Sequence, residues 1–302
     1  MSVAPCRPMG MSRFIIILSA LLLSLPGCKS AAPKPQATVP YDEREGRKLE
    51  MDVYLPSAPS DGLRPAVLLV HGGGWAEGHR RDFSWIGHWL AARGYVSFST
   101  SYRLVTADAN HWPAQLDDVQ RSVRWIRAHA ADYKVDPERI GALGASAGGH
   151  LVSCLGTMDT RDNSDPALSA HSSRVKCVVD LCGPSDLTED LRPKLAKGEW
   201  CNGMIDTLLG NKERKGAREA SPLFLVDGKS SPFLIVHGSK DDIVPLDHSQ
   251  RLEAALKTAG VKAELVTMNC GHAFENAAQL QDFMQRTEKF LETHLKSLSP
   301  SP

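Results

Sequence analysis

Apolar and polar residues first alternate in Leu49-Glu50-Met51-Asp52-Val53-Tyr54-Leu55, which predicts a half-buried strand closed by Pro56. Four later runs are short and apolar on both faces: Ala66 to Val70, Tyr95 to Thr100, Val175 to Leu181, and Pro232 to Val236. Such runs suit parallel strands buried on both sides. Helical patterns fall between them, over Phe83 to Ala92, Leu116 to Ala130, Ala147 to Met158 and Ser249 to Ala259. Gly94 and Gly260 follow two of these as stop signals. Ala263 to Met268 supplies a last strand and Leu280 to Lys296 a last helix. The alternation predicts an α/β fold, a mainly parallel sheet flanked by helices on both faces. The domain is expected to run over 41–296, with a short tail over 297–302.

One segment breaks the rhythm. Pro184 to Ser221 carries many charges and glycines without a strand pattern, and Trp200 and Cys201 stand in its middle. It follows a strand end, where active-site loops gather, so it reads as a small inserted lid over about 184–221.

The N-terminus has a different character. Arg13 precedes an apolar stretch, Phe14 to Leu25, too short to cross a bilayer comfortably, the pattern of a signal peptide. Leu25-Pro26-Gly27-Cys28 resembles a bacterial lipoprotein cleavage box, so 1–28 is expected to be removed up to a lipidated Cys28. Pro26 departs from the small or aliphatic residue usual there. The alternative is a plain secretion signal cut after Ala32, and Met11 could serve as the start. Residues 29–40, rich in Pro and Ala, read as a tether. The expectation is an exported protein, anchored in the bacterial envelope or else secreted.

Composition adds limits. A chain of 302 residues with 42% hydrophobic and 23% charged residues can bury a full core. A formal net charge of zero points away from nucleic acid, and membrane contact is expected only through the lipid anchor. Cys154 and Cys177 sit in apolar patterns as core thiols, whereas Cys182, Cys201 and Cys270 are read as loop-placed, so two of them could pair. No Cys/His spacing resembles a metal site, and no metal or cofactor is expected.

Chemistry enters at Gly144-Ala145-Ser146-Ala147-Gly148, a Gly-x-Ser-x-Gly pattern between a strand and a helix. A sharp turn there stands the hydroxyl of Ser146 clear of the sheet. A serine nucleophile needs a base, and the base needs an orienting carboxylate. His237-Gly238-Ser239-Lys240-Asp241-Asp242-Ile243-Val244-Pro245 places a carboxylate after a buried strand, and Cys270-Gly271-His272-Ala273-Phe274 places a histidine after the last one. His71-Gly72-Gly73-Gly74-Trp75 ends another strand with unhindered N–H groups. Two of these, with the N–H of Ala147, make a candidate oxyanion hole. Trp75 is a candidate wall of the substrate pocket, with a core role the alternative. His71 is expected to brace its loop, His150 to pack, and His237 to be a hydrogen-bonded structural residue. His79, His88, His111, His129, His171, His248 and His294 are expected to be solvated.

Together these motifs resemble the α/β-hydrolase superfamily, and within it the esterase group of hormone-sensitive-lipase-like carboxylesterases and bacterial feruloyl and acetyl-xylan esterases. Pro113 to Val119 and Ala220-Ser221-Pro222 add to the likeness, which runs from Tyr41 to Lys296. Ala273 stands where that group commonly has glycine. The resemblance implies a catalytic triad of Ser146, Asp241 and His272, with the oxyanion held by the N–H groups of Gly73, Gly74 and Ala147. It aligns Asp241 rather than Asp242, which is expected to contact turn backbone. It implies a serine carboxylic-ester hydrolase acting through an acyl-enzyme on acylated carbohydrate or small acyl esters, its partner a small-molecule or oligosaccharide ester. Kynurenine-formamidase-like or peptidase activity on the same fold, or an inactive surface-binding module, are the alternatives. Oligomeric state is not legible.

Overall fold

The structure is a computed structural model, and it describes residues 34–44 and 46–296. The expected signal peptide, Cys28 and the C-terminal tail lie outside the described residues. Among the described residues no helix is long and apolar enough to cross a membrane.

Eight strands form one sheet: β1 (Ala37–Arg44), β2 (Arg47–Tyr54), β3 (Arg64–Val70), β4 (Val96–Thr100), β5 (Val135–Ala145), β6 (Val178–Leu181), β7 (Phe233–Gly238) and β8 (Ala263–Met268). Their spatial order is β1-β2-β4-β3-β5-β6-β7-β8. β2 pairs antiparallel with β1 and β4, and every later pair is parallel. Period-two alternation explains the unbroken apolar runs. In β3, Ala66, Leu68 and Val70 enter one core while Val67 and Leu69 enter the other.

The first core is closed by α2 (Ala114–Ala128), α3 (Ala147–Thr157) and α5 (Leu246–Thr258), through residues such as Val119, Leu151 and Leu252. The second is closed by α1 (Ser84–Ala91) and α6 (Ala277–Leu291), through Ile86, Leu90 and Phe283. Because β3 and β5 to β8 all run parallel, the loops after their carboxyl ends meet on one rim.

Two stretches differ from expectation. Residues 37–40, read as the end of the tether, are the first half of β1, which pairs Ala37 with Val53 and Arg44 with Arg47. The strand is an edge, so Pro40 costs little there, and the register shifts just after it. The 184–221 insertion is not bare loop: it contains α4 (Gly198–Leu209). Cys201, lying on that helix, is therefore not loop-placed.

Candidate active site

The serine turn is built by contacts that exclude side chains. A Cβ on Gly148 would lie 2.0 Å from the Val70 carbonyl oxygen, and one on Gly144 would lie 2.3 Å from that of Gly148. A Cβ on Gly72 would come within 2.9 Å of the Ala145 carbonyl. The loop after β3 is thereby pressed onto the turn after β5. Ser146 itself sits at φ 55°, ψ −121°, a left-handed backbone an L-residue adopts only under strain. Its N–H is held by the Leu181 carbonyl at 2.8 Å.

Three loops converge on its hydroxyl. His272 Nε2 lies 2.9 Å from Ser146 Oγ, and His272 Nδ1 lies 2.7 Å from Asp241 Oδ2. The Asp241 side chain is shut from solvent, while that of His272 is 24% exposed and so open to an arriving substrate. Asp241 Oδ1 accepts from the N–H groups of Ile243 (2.8 Å) and Val244 (2.9 Å). Burial raises the Asp241 carboxyl, but hydrogen bonding and charge from His237 and His272 outweigh it and hold the group well below the usual carboxylate range. Asp241 is thus an anion beside the imidazole. Asp242, expected to contact turn backbone, instead points outward and pairs with Lys197 at 2.5 Å.

Gly73 and Gly74 have φ of 108° and 55°, open to glycine. Among the described residues their N–H groups, like that of Ala147 at the first position of α3, donate to no protein acceptor. Trp75 is 3% exposed; it belongs to the first core and also lines the recess beside Ser146. Its indole N–H donates to His150 Nδ1 at 3.2 Å, and His150 Nε2–H donates to the Ala220 carbonyl at 2.7 Å. His71 stacks on Tyr102 with ring centroids 4.3 Å apart and bonds the Gly72 carbonyl at 2.8 Å. His237 is buried between Ser249 Oγ (2.7 Å) and the Val244 carbonyl (3.0 Å), with its Nε2 also 3.2 Å from Asp241 Oδ2.

His248 corrects an expectation. It is not solvated but fully buried, accepting at Nδ1 from the Ser185 N–H (3.1 Å) and facing Glu189 at 3.1 Å. It thereby ties the start of the insertion to α5. Glu189, Asp247 and His248 bring donor atoms within 4.8 Å of one another, but Lys194 and Arg251 pair with the same carboxylates, so the cluster is an ion-pair network. The donor atoms of Cys182, Asp241 and His272 also lie within 4.8 Å, inside the Ser146–His272–Asp241 chain itself. Cys154, Cys177, Cys182, Cys201 and Cys270 are all free thiols, so the possible pairing among the last three is not formed.

Two buried histidines and one aspartic acid set a pH response. Burial depresses His71 and His150 to about 4, against hydrogen bonds to Gly72 and Ala220 that raise them. Burial lifts Asp180 to about 6, against hydrogen bonds from Gly183 and Ser153. Each histidine adds stability that is present above its unfolded value near 6.5 and lost toward pH 4, on the order of 3 kcal/mol. Asp180 works the other way, adding stability as pH falls from about 6 and offsetting roughly one histidine. The net expectation is a loss of ~3 kcal/mol between pH 7 and 4.5, read from urea midpoints. Asp180→Asn should steepen that loss.

An apolar recess opens beside Ser146, lined by Trp75, Leu191, Cys201, Met204, Ile205 and Ile243, among others. Space unfilled by atoms there amounts to about 370 Å³, solvent at the mouth included. Met204 reaches over the glycine loop after β3, since a Cβ on Gly74 would lie 2.6 Å from its sulfur. These pocket residues of α4 went unread in the sequence, although Cys201, Met204, Ile205 and Leu208 fall at i, i+3, i+4 and i+7.

Sheet order, a serine at a strand-to-helix turn, and an acid and a histidine on the two following carboxyl-end loops define the class: an α/β-hydrolase of the serine type. Within that class the chain belongs to the BD-FAE family, whose model matches residues 51–256. The dienelactone hydrolase family model also matches residues 215–299. Among curated proteins, the chain is similar to a probable carboxylic ester hydrolase, LipM, of Mycobacterium tuberculosis, with 28% identity over 76% of this chain and 54% of that protein. It is likewise similar to esterase LipQ of the same organism, with 29% identity over 86% of this chain and 62% of that protein. The chain thus spans little more than half the length of these relatives. Among solved structures, a propionate-bound esterase of Thermogutta terrifontis superposes with TM-score 0.75 at 25% identity, covering 90% of this chain and 98% of that one. An acetyl ester-xyloside bifunctional hydrolase of Caldicellulosiruptor lactoaceticus gives TM-score 0.74 at 26% identity, covering 87% and 98%.

Proposed function

We propose that this protein is a serine carboxylic-ester hydrolase that cleaves short acyl esters, carried on carbohydrate, through an acyl-enzyme. The observation that carries the reading is the unbroken hydrogen-bond chain from Ser146 Oγ through His272 to Asp241. In this reading the Ser146 hydroxyl gives its proton to His272 Nε2 as Oγ attacks the ester carbonyl carbon. The carbonyl oxygen becomes an anion, held by the N–H groups of Gly73, Gly74 and Ala147. His272, now a cation stabilised by Asp241, returns the proton to the departing alkoxide and leaves the acyl group on Ser146. Water, deprotonated by the same imidazole, then releases the acid and restores the serine.

The recess supports short acyl groups. It is apolar, and Met204 and Leu191 from the insertion close in on it. The propionate-bound esterase and the acetyl ester-xyloside bifunctional hydrolase among the structural neighbours agree with this size. Carbohydrate as the alcohol fits the second of these and an exported protein. Export and anchoring through Cys28 are proposed from Arg13, the apolar stretch after it and Leu25-Pro26-Gly27-Cys28.

A fluorophosphonate probe should label one residue, Ser146. On p-nitrophenyl esters, kcat/KM should fall about tenfold or more between acetyl and decanoyl chains, and Met204→Ala should flatten that decline. No labelling and no hydrolysis at any chain length would end the reading.

A further inference from the structure

Among the described residues two large hydrophobic side chains are exposed, Leu63 and Trp200, at 53% and 43%. Leu63 directly precedes β3, at the sheet end opposite Ser146. Trp200 is different: it lies on α4, the helix whose inner seam of Cys201, Met204 and Ile205 lines the recess beside the serine. One turn separates Trp200 from Met204, about 6 Å along the helix. Met204 is itself only half-buried and its sulfur lies close over Gly74, so Trp200, at i, i+4 from Met204, sits on the flank of α4 at the edge of the seam that lines the recess. Gly203, three residues on, is exposed, and a Cβ added there would meet nothing within 4 Å. The helix surface at Gly203, at i, i+3 from Trp200, is therefore bare.

The neighbourhood decides what such a platform suits. Lys197 and Asp242, paired at 2.5 Å, are 38% and 53% exposed. Glu199 and Arg192 are 86% and 62% exposed. An alkyl chain leaving the recess would run from the indole onto charged groups with no apolar floor beneath it. A flat ring with a hydrocarbon face and a rim of hydroxyls fits better. It can lay its C–H face on the indole and turn its hydroxyls to the charges around it.

We propose that Trp200, with the gap left by Gly203, is the platform for a pyranose ring on the alcohol side of the scissile ester. The proposal rests on the ester-hydrolase reading and assigns the site that holds the sugar half. Trp200 touches no reacting atom, so its effect belongs in KM rather than kcat.

The test uses the full protein, O-acetylated xylobiose as the saccharide ester and ethyl acetate as an ester without a ring, both followed by acid release. Trp200→Ala should raise KM for the acetylated xylobiose by about tenfold or more with kcat little changed, and leave kcat/KM for ethyl acetate within about twofold. Trp200→Tyr should restore most of the loss. An equal loss on both substrates would mean that the indole only holds the helix, and would overturn the proposal. So would an unchanged KM for the saccharide ester. Wild-type protein that hydrolyses ethyl acetate but not the saccharide ester sinks the platform alone. Protein inert on both sinks the hydrolase reading with it.

Discussion

Replacing Ser146 by alanine is expected to lower kcat on p-nitrophenyl acetate by roughly 10⁵-fold or more while leaving the folded protein intact. The size of the effect follows from what else stands near His272. A second nucleophilic side chain, the Cys182 thiol, lies within 4.8 Å of the imidazole. It cannot take over, because burial and the charges of Asp241 and Asp180 push it well above its ordinary value, and its hydrogen points at the His272 carbonyl, 3.6 Å away. Alanine keeps the Cβ, so the strained φ of 55° is retained and stability should barely move. Glycine, free of that strain, should be as inactive as alanine yet more stable by about 1 kcal/mol or more. Circular dichroism and urea midpoints measure the second half of this expectation and a progress curve the first. An alanine variant with a hundredth of the original activity would remove Ser146 from the nucleophile's place.

Why the serine, the histidine and the acid were readable before any coordinates is a matter of geometry. In a parallel sheet every strand's carboxyl end faces the same rim, so a motif that follows a buried run is already located. That rule locates Ser146 after β5, His272 after β8, the loop of Gly72 to Gly74 after β3 and an acid after β7, while the choice of Asp241 over Asp242 came from the family resemblance. What escaped was set by surroundings instead of local pattern. β1 is an edge strand with one wet face and a proline, so 37–40 had the composition of a tether. α4 had its apolar seam diluted by Gly198, Gly203 and charged neighbours, and that hid both the helix and Met204. His248 lies in the polar first turn of α5, and its burial comes from the insertion folding back over it through Ser185 and Glu189. Asp242 gave no local sign of Lys197, a partner distant in sequence. Contacts made by an insertion are non-local, and periodicity does not carry them.

Asp241→Asn should be the second most damaging change, lowering kcat by about 10⁴-fold. The reason lies in which way the amide must turn. Oδ1 of Asp241 accepts from two backbone N–H groups, those of Ile243 and Val244. An asparagine will keep its carbonyl oxygen there, because turning the NH2 toward them would oppose donors to donors. The NH2 then faces His272 Nδ1, where a carboxylate oxygen stood at 2.7 Å. Facing a donor, Nδ1 becomes the acceptor and the imidazole proton moves to Nε2. That places a hydrogen, not a lone pair, against Ser146 Oγ at 2.9 Å, so the serine proton has nowhere to go. The imidazolium also loses the anion that stabilised it. The same NH2 meets His237 Nε2–H, which lies 3.2 Å from Oδ2 and already serves the Val244 carbonyl, so a modest loss of stability should accompany the loss of rate. Asp242→Asn provides the contrast: its carboxylate is 53% exposed and pairs with Lys197, and its removal should change kcat by less than about threefold. Rates for the two variants, with phosphonate labelling to count competent serines, separate the adjacent acids. Near-normal turnover in Asp241→Asn alongside collapse in Asp242→Asn would exchange their roles and discredit the tautomer argument.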